Sequence, residues 1–142
     1  MRDNTSEKPR IFRADMGLQN NLGYVTYVYS DRTEIELDVR DIHLNRAGIL
    51  HGGVLCVLLD SACGYAASRH LAEDVSHRVV TLTLTTNYLA PAMPGLIRAV
   101  GRVTGGGAKT IFTAGEVLDV DNNKLATCTA IMRAIKGGVQ GG

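Results

Sequence analysis

Of the 14 residues 54–67, all are apolar except Asp60, Ser61 and Gly64. Their length and their Ala and Leu content favour a helix over a strand, although Val54 and Val57 pull the other way. A helix that is apolar on nearly every side must be buried on nearly every side. The rest of the chain therefore has to wrap it.

Four β-type segments follow, at about 78–89, 96–104, 110–120 and 124–135. They are separated by Pro91 and Pro94-Gly95, by Gly105-Gly106-Gly107, and by Asp121-Asn122-Asn123. The last two breakers are short enough to close hairpins, which makes the sheet antiparallel. Ahead of the helix, Tyr and Val dominate residues 24–29 and favour a strand. Asp31-Arg32 reads as a turn. Ile35, Leu37 and Val39 then alternate with Glu34, Glu36 and Asp38, a strand with one wet face. Pro9 to Gly17 fits a short helix, and the Gly-rich stretch from Gly137 fits a frayed tail.

The expected fold class is α+β, a curled antiparallel β-sheet around one long central helix. One domain accounts for residues 1–142, with 1–22 as an N-terminal segment. A single sheet leaves strand edges and part of its own surface uncovered. A homo-oligomer, a dimer or a dimer of dimers, is expected for that reason.

Composition excludes several function classes. A formal charge of +1 and no Trp argue against a nucleic-acid partner. The polar start MRDNTSEKPR has no apolar core of a secretory signal. No run reaches the ~18 apolar residues of a spanning helix, so no membrane partner is expected. Cys56, Cys63 and Cys128 are odd in number and sit in apolar stretches, as reduced thiols of a cytoplasmic protein do. Cys56 and Cys63 read as packing residues, since no base stands at an obvious spacing. His43, His51, His70 and His77 show no metal-ligand spacing; no metal or cofactor is expected, and surface or capping roles are the default. Gly105–Gly107 lacks the Lys-Ser/Thr of a phosphate loop and reads as a turn.

The chemistry concentrates around the helix. Asp60 is a carboxylate in an otherwise greasy element, which is costly unless it is hydrogen-bonded or functional. Two readings stay open: a structural Asp satisfied by Ser61 or a neighbouring strand, and a catalytic general base or nucleophile. At the helix start stands His51-Gly52-Gly53. A helix N-terminus offers unpaired N–H groups and partial positive charge to a developing oxyanion, and glycines let a carbonyl come close. Eight residues at ~1.5 Å rise put Gly52 and Asp60 about 12 Å apart along the axis, whereas groups acting on one carbonyl must approach it to about 3 Å. If both act, they come from different subunits.

Asn45…Gly48, then His51-Gly52-Gly53, then Asp60, with Asn87-Tyr88-Leu89-Ala90-Pro91 downstream, resembles the hotdog-fold acyl-CoA thioesterases of the phenylacetate-degradation and 4-hydroxybenzoyl-CoA type. The likeness covers about 45–135. It implies a hotdog fold and hydrolysis of an acyl-CoA substrate. By motif match, Asp60 activates water or attacks the thioester, Gly52 polarises the carbonyl, and Asn45 and His51 lie close by. Where some members carry a hydroxyl one turn beyond the acid, this chain has Gly64; others take the hydroxyl from the next strand, where Thr81 stands. Thr81 also belongs to the run Thr81, Thr83, Thr85, which β-propensity alone explains. Gly53 would line the substrate, and Arg69, Arg102 and Lys109 could pair with coenzyme A phosphates. A hotdog dehydratase or isomerase is a weaker reading, because His51-Gly52-Gly53 lacks the proline of that motif. A non-catalytic acyl-CoA sensor gains nothing from the carboxylate.

Overall fold

The computed structural model describes residues 6–13 and 16–136. The elements run β1 (Arg10–Phe12), α1 (Gly17–Leu22), β2 (Val25–Val28), β3 (Thr33–Val39), a 3-10 turn (Asp41–His43) and α2 (Gly52–Leu71). Four long strands complete the chain: β4 (Val79–Tyr88), β5 (Gly95–Gly106), β6 (Thr110–Leu118) and β7 (Lys124–Ala134). All the strands join one antiparallel sheet in the order β1-β2-β3-β5-β6-β7-β4. The two expected hairpins are β5–β6 and β6–β7. The strand that follows the helix in sequence lands at the far edge, beside β7.

The sheet curls around α2. Leu55, Leu58, Leu59, Ala62, Cys63 and Ala67 pack into one core with Ile35, Leu37, Ile97, Ala99, Ile111, Val117, Ala126, Ala130 and Met132. Helix and sheet come close enough for backbone contact at Gly101 of β5. A Cβ there would lie 2.6 Å from the Ala62 carbonyl, so only glycine lets the strand backbone touch the helix backbone.

Three expectations are corrected. Arg10–Phe12 is an edge strand rather than part of a helix, and α1 begins at Gly17, where a helix was expected to end. The register of β1 with β2 (Phe12 opposite Thr26) and the Phe12 ring, 5.3 Å from that of Tyr65, reward the extended form. Glu34, expected on the wet face, is buried, with its carboxylate held by Arg32 Nε at 2.8 Å and an Arg98 guanidinium nitrogen at 2.9 Å. Two charge-assisted bonds offset the desolvation of that carboxylate.

The third correction matters most for function. Within one chain, α2 is not covered on every side. Val54, Cys56, Val57, Asp60, Ser61, Gly64 and Tyr65 remain partly exposed. They adjoin β4, a ten-residue edge strand that leaves Val80 and Leu82 44% and 54% exposed. The frayed tail expected from Gly137 lies outside the described residues.

Candidate active site

The loop before α2 is built to deliver its first turn. Asn45 Oδ1 accepts the N–H of Ala47 at 2.9 Å, and Gly48 turns the chain at φ +77°. His43 is buried and takes the capping role, one of the two expected of the histidines. Its Nδ1 accepts the Arg40 N–H and its Nε2 donates to the Leu22 carbonyl, while its own carbonyl takes the His51 N–H. His51 is the N-cap of α2: its Nδ1 accepts the Gly53 N–H at 2.9 Å, and its carbonyl takes the Val54 N–H. Accepting at Nδ1 assigns the ring the tautomer protonated at Nε2. Two of the orphan donors at the helix start are thereby claimed. The Gly52 N–H keeps no partner among the described residues.

Gly52, Gly53 and Asn45 line one cavity of about 640 Å³, together with Leu50, Tyr88 and Pro91. Asp60 lies in another, about 400 Å³, with Thr81, Tyr65, Val79 and Met132 among its walls. There the Thr81 hydroxyl donates to Asp60 Oδ1 at 2.6 Å. Oδ1 is thus held, on a residue that lines the cavity. Thr81 brings a hydroxyl to Asp60 that Gly64 does not; a side chain at Gly64 would meet nothing within 4 Å. Asp60 is half-buried, so its desolvation is only partial in one chain.

Thr81 and Gly52 therefore stand in separate places on one protomer, as the helix rise requires. The expected coenzyme A cations are not gathered with them. Arg69 faces Glu73 at 3.7 Å, Arg102 faces Asp31 at 3.7 Å, and Lys109 is exposed beside the β5–β6 hairpin. None lines either cavity. Among the described residues no cluster of His, Cys, Asp or Glu could hold a metal.

Sequence reasoning missed the part played by Tyr88. Its hydroxyl donates to the Gly52 carbonyl at 2.9 Å and lies 3.1 Å from Cys56 Sγ. That hydrogen bond to Cys56, with some burial, pushes the phenol up to about 12. Cys56 is half-buried, whereas Cys63 and Cys128 lie buried in the core with their sulfurs 3.7 Å apart.

With the geometry in place, comparison decides the family. Residues 47–126 match the model of the thioesterase superfamily. The chain belongs to that superfamily. A 1,4-dihydroxy-2-naphthoyl-CoA hydrolase of Listeria monocytogenes is 28% identical over 122 residues, covering 85% of this chain and 97% of that protein. A putative esterase of Halobacterium salinarum is 29% identical over 94 residues, 63% of this chain, and the match spans 62% of its length. The Escherichia coli PaaI protein of the phenylacetic acid degradation operon superposes with a TM-score of 0.78 over 89% of each chain, at 21% identity. That likeness speaks for the hotdog fold. No helix among the described residues is long and apolar enough to cross a membrane.

Proposed function

We propose that this thioesterase-superfamily protein hydrolyses an acyl-CoA thioester to a free acid and coenzyme A, at sites shared between two subunits. One observation carries the reading: a cavity-lining carboxylate fixed by a hydroxyl, and an unclaimed helix-start N–H, placed too far apart on one chain to meet one carbonyl. Antiparallel pairing of two α2 helices brings Asp60 of one subunit opposite Gly52 of the other. The half-covered face of α2 and the exposed edge strand β4 support that pairing. The relative from Listeria monocytogenes, a naphthoyl-CoA hydrolase by name, supports the substrate class.

In this reading the Gly52 N–H points at the thioester oxygen, where negative charge develops as the carbonyl becomes tetrahedral. Asp60 Oδ2 takes a proton from the attacking water or attacks the carbonyl carbon itself; Thr81, on Oδ1, keeps the carboxylate from turning away. Collapse of the intermediate breaks the C–S bond and releases the coenzyme A thiolate. With water as nucleophile, the proton held by Asp60 goes to that thiolate; with Asp60 as nucleophile, a water then cleaves the mixed anhydride to the free acid and the restored carboxylate. Asn45 and His51 shape the approach to Gly52. The acyl group enters the cavity beside Asp60, against Tyr65, Val79 and Met132. Arg69, Arg102 and Lys109 are left for the phosphates, outside both cavities.

The test is a panel of short, medium, long and aromatic acyl-CoAs, with thiol release followed by a chromogenic reagent. Turnover on at least one, abolished in folded Asp60→Asn, is expected. Tight acyl-CoA binding with no turnover on any would favour a ligand sensor instead. Gly52→Pro is the matching donor deletion. It removes the N–H at the first helical position, where proline is tolerated, after a His51 already extended at ψ 130°. Its Cβ would stand 3.2 Å from the Tyr88 phenol oxygen, so the variant's fold is checked alongside its activity.

A further inference from the structure

Tyr88 closes strand β4, which runs beside α2 and touches it through side chains at both ends. Near the start of the strand, the Thr81 hydroxyl holds Asp60 at 2.6 Å. At its end, the Tyr88 hydroxyl holds the Gly52 carbonyl at 2.9 Å. The phenol oxygen also lies 3.1 Å from the Cys56 sulfur, one turn further along the helix. The phenol end of the ring also lies close to Gly52. A Cβ there would stand 3.2 Å from the phenol oxygen and 3.3 Å from Cε1 and Cζ. A side chain at position 52 would therefore press on the Tyr88 phenol, which would have to give by a few tenths of an ångström.

The first turn of a helix is the part most prone to fray, because its donors lack intrahelical partners. Here the donor that matters is the first residue of α2. Loss of alignment by ~1 Å can cost about 100-fold in rate. We propose that Tyr88 is the positioning residue for the Gly52 oxyanion donor, so that a single edge strand braces one catalytic group of each of two shared sites. The proposal rests on the shared-site thioesterase reading above. It assigns Tyr88 to the half-site that its own chain lends to its partner, and Thr81 to the half-site its chain keeps.

Tyr88→Phe removes the hydroxyl and keeps the ring against Gly52. In the homo-oligomer, kcat is expected to fall ~5- to 10-fold, the worth of one neutral hydrogen bond, with KM within about twofold. An unchanged kcat overturns the proposal. The deciding experiment uses mixed oligomers of two differently tagged chains, one carrying Asp60→Asn and the other Gly52→Pro. Their one working site takes Gly52 from the first chain and Asp60 from the second. Tyr88→Phe added to the Asp60→Asn chain should lower the regained turnover ~5- to 10-fold; added to the Gly52→Pro chain, it should leave that turnover within about twofold. A merely structural tyrosine would lower both alike, and equal losses overturn the proposal. Mixed oligomers that regain nothing sink the shared-site reading itself, a different result from regained turnover indifferent to Tyr88.

Discussion

Gly101→Ala tests how tightly the site depends on the fold beneath it. The new Cβ would fall 2.6 Å from the carbonyl carbon and oxygen of Ala62 and 2.8 Å from the Cys63 nitrogen. Ordinary carbon contacts start near 3.4 Å, so the two backbones must part by about 0.8 Å. The strand cannot recede easily, because Gly101 is paired with Thr33 on one side and Gly115 on the other. The helix is the element left to move. Overpacking against flexible side chains costs ~1–3 kcal/mol. Here the obstacle is helix backbone at two fully buried residues, which argues for the upper end, ~3 kcal/mol, or a fall in Tm of about 10 °C for a domain of this size. Ala62 is two residues from Asp60, and adding ~0.8 Å to the 2.6 Å bond from Thr81 carries it past useful hydrogen-bond length. Stability and kcat should therefore fall together, read by urea unfolding and by thiol release. Gly115→Ala is the matched control. It faces Gly101 across the ladder, but its Cβ meets Val100 O at 3.0 Å and Cys128 Sγ at 3.1 Å, a milder squeeze of ~1 kcal/mol. Gly101→Ala within 0.5 kcal/mol of wild type would refute the claim that this contact sets the helix height. A large stability loss with kcat intact would refute its link to Asp60.

Within one chain nothing lies within 4 Å of a Cβ at Gly64, so helix propensity alone would make Gly64→Ala stabilising by ~1 kcal/mol; with a second α2 packed on that face a calorimetric loss is expected instead, and the full gain would count against the pairing. Thr81→Val, which keeps the shape and removes the donor to Asp60, should lower kcat ~10-fold with KM little changed; unchanged kcat would make the bond structural. The Asn123 backbone N–H, then its side-chain amide and the Asp121 N–H, hold the Asp119 carboxyl below the usual carboxylate range. The stability this supplies is present above the ordinary carboxylate pKa and is lost as pH falls through the lower folded value. The gap between wild type and Asp119→Ala in denaturant midpoint should therefore close as pH drops from ~5 toward ~2, and a gap that widens on acidification would contradict the sign.

What could be read from the chain alone follows from how local each signal is. Helix α2 and strands β4 to β7 announce themselves through composition and breakers, and their observed limits differ little from those expected. Edge strand β1 did not, because three residues gain their strand form only from pairing with β2 and from Tyr65, both remote in sequence. Glu34 was misplaced because alternation assigns it to water, whereas the buried Arg32, and Arg98 64 positions away, take it inside. The site divides along the same line. Asp60 and Gly52 were legible as a carboxylate in a greasy helix and a glycine at its start. The brace from Tyr88 was not, since it joins residues 36 apart. Thr81 stood between these cases. Period-two alternation puts Thr81, Thr83 and Thr85 on one face and cannot rank them. The irregularity between Thr81 and Thr83 breaks that register. Beyond it, Leu84 and not Thr83 packs toward the core, and Thr81 alone of the three turns its hydroxyl to the helix acid. A strand departs from regular pairing at a cost in ladder hydrogen bonds. This one departs where a threonine must reach a carboxylate, which places the β4 irregularity among the features that build the site.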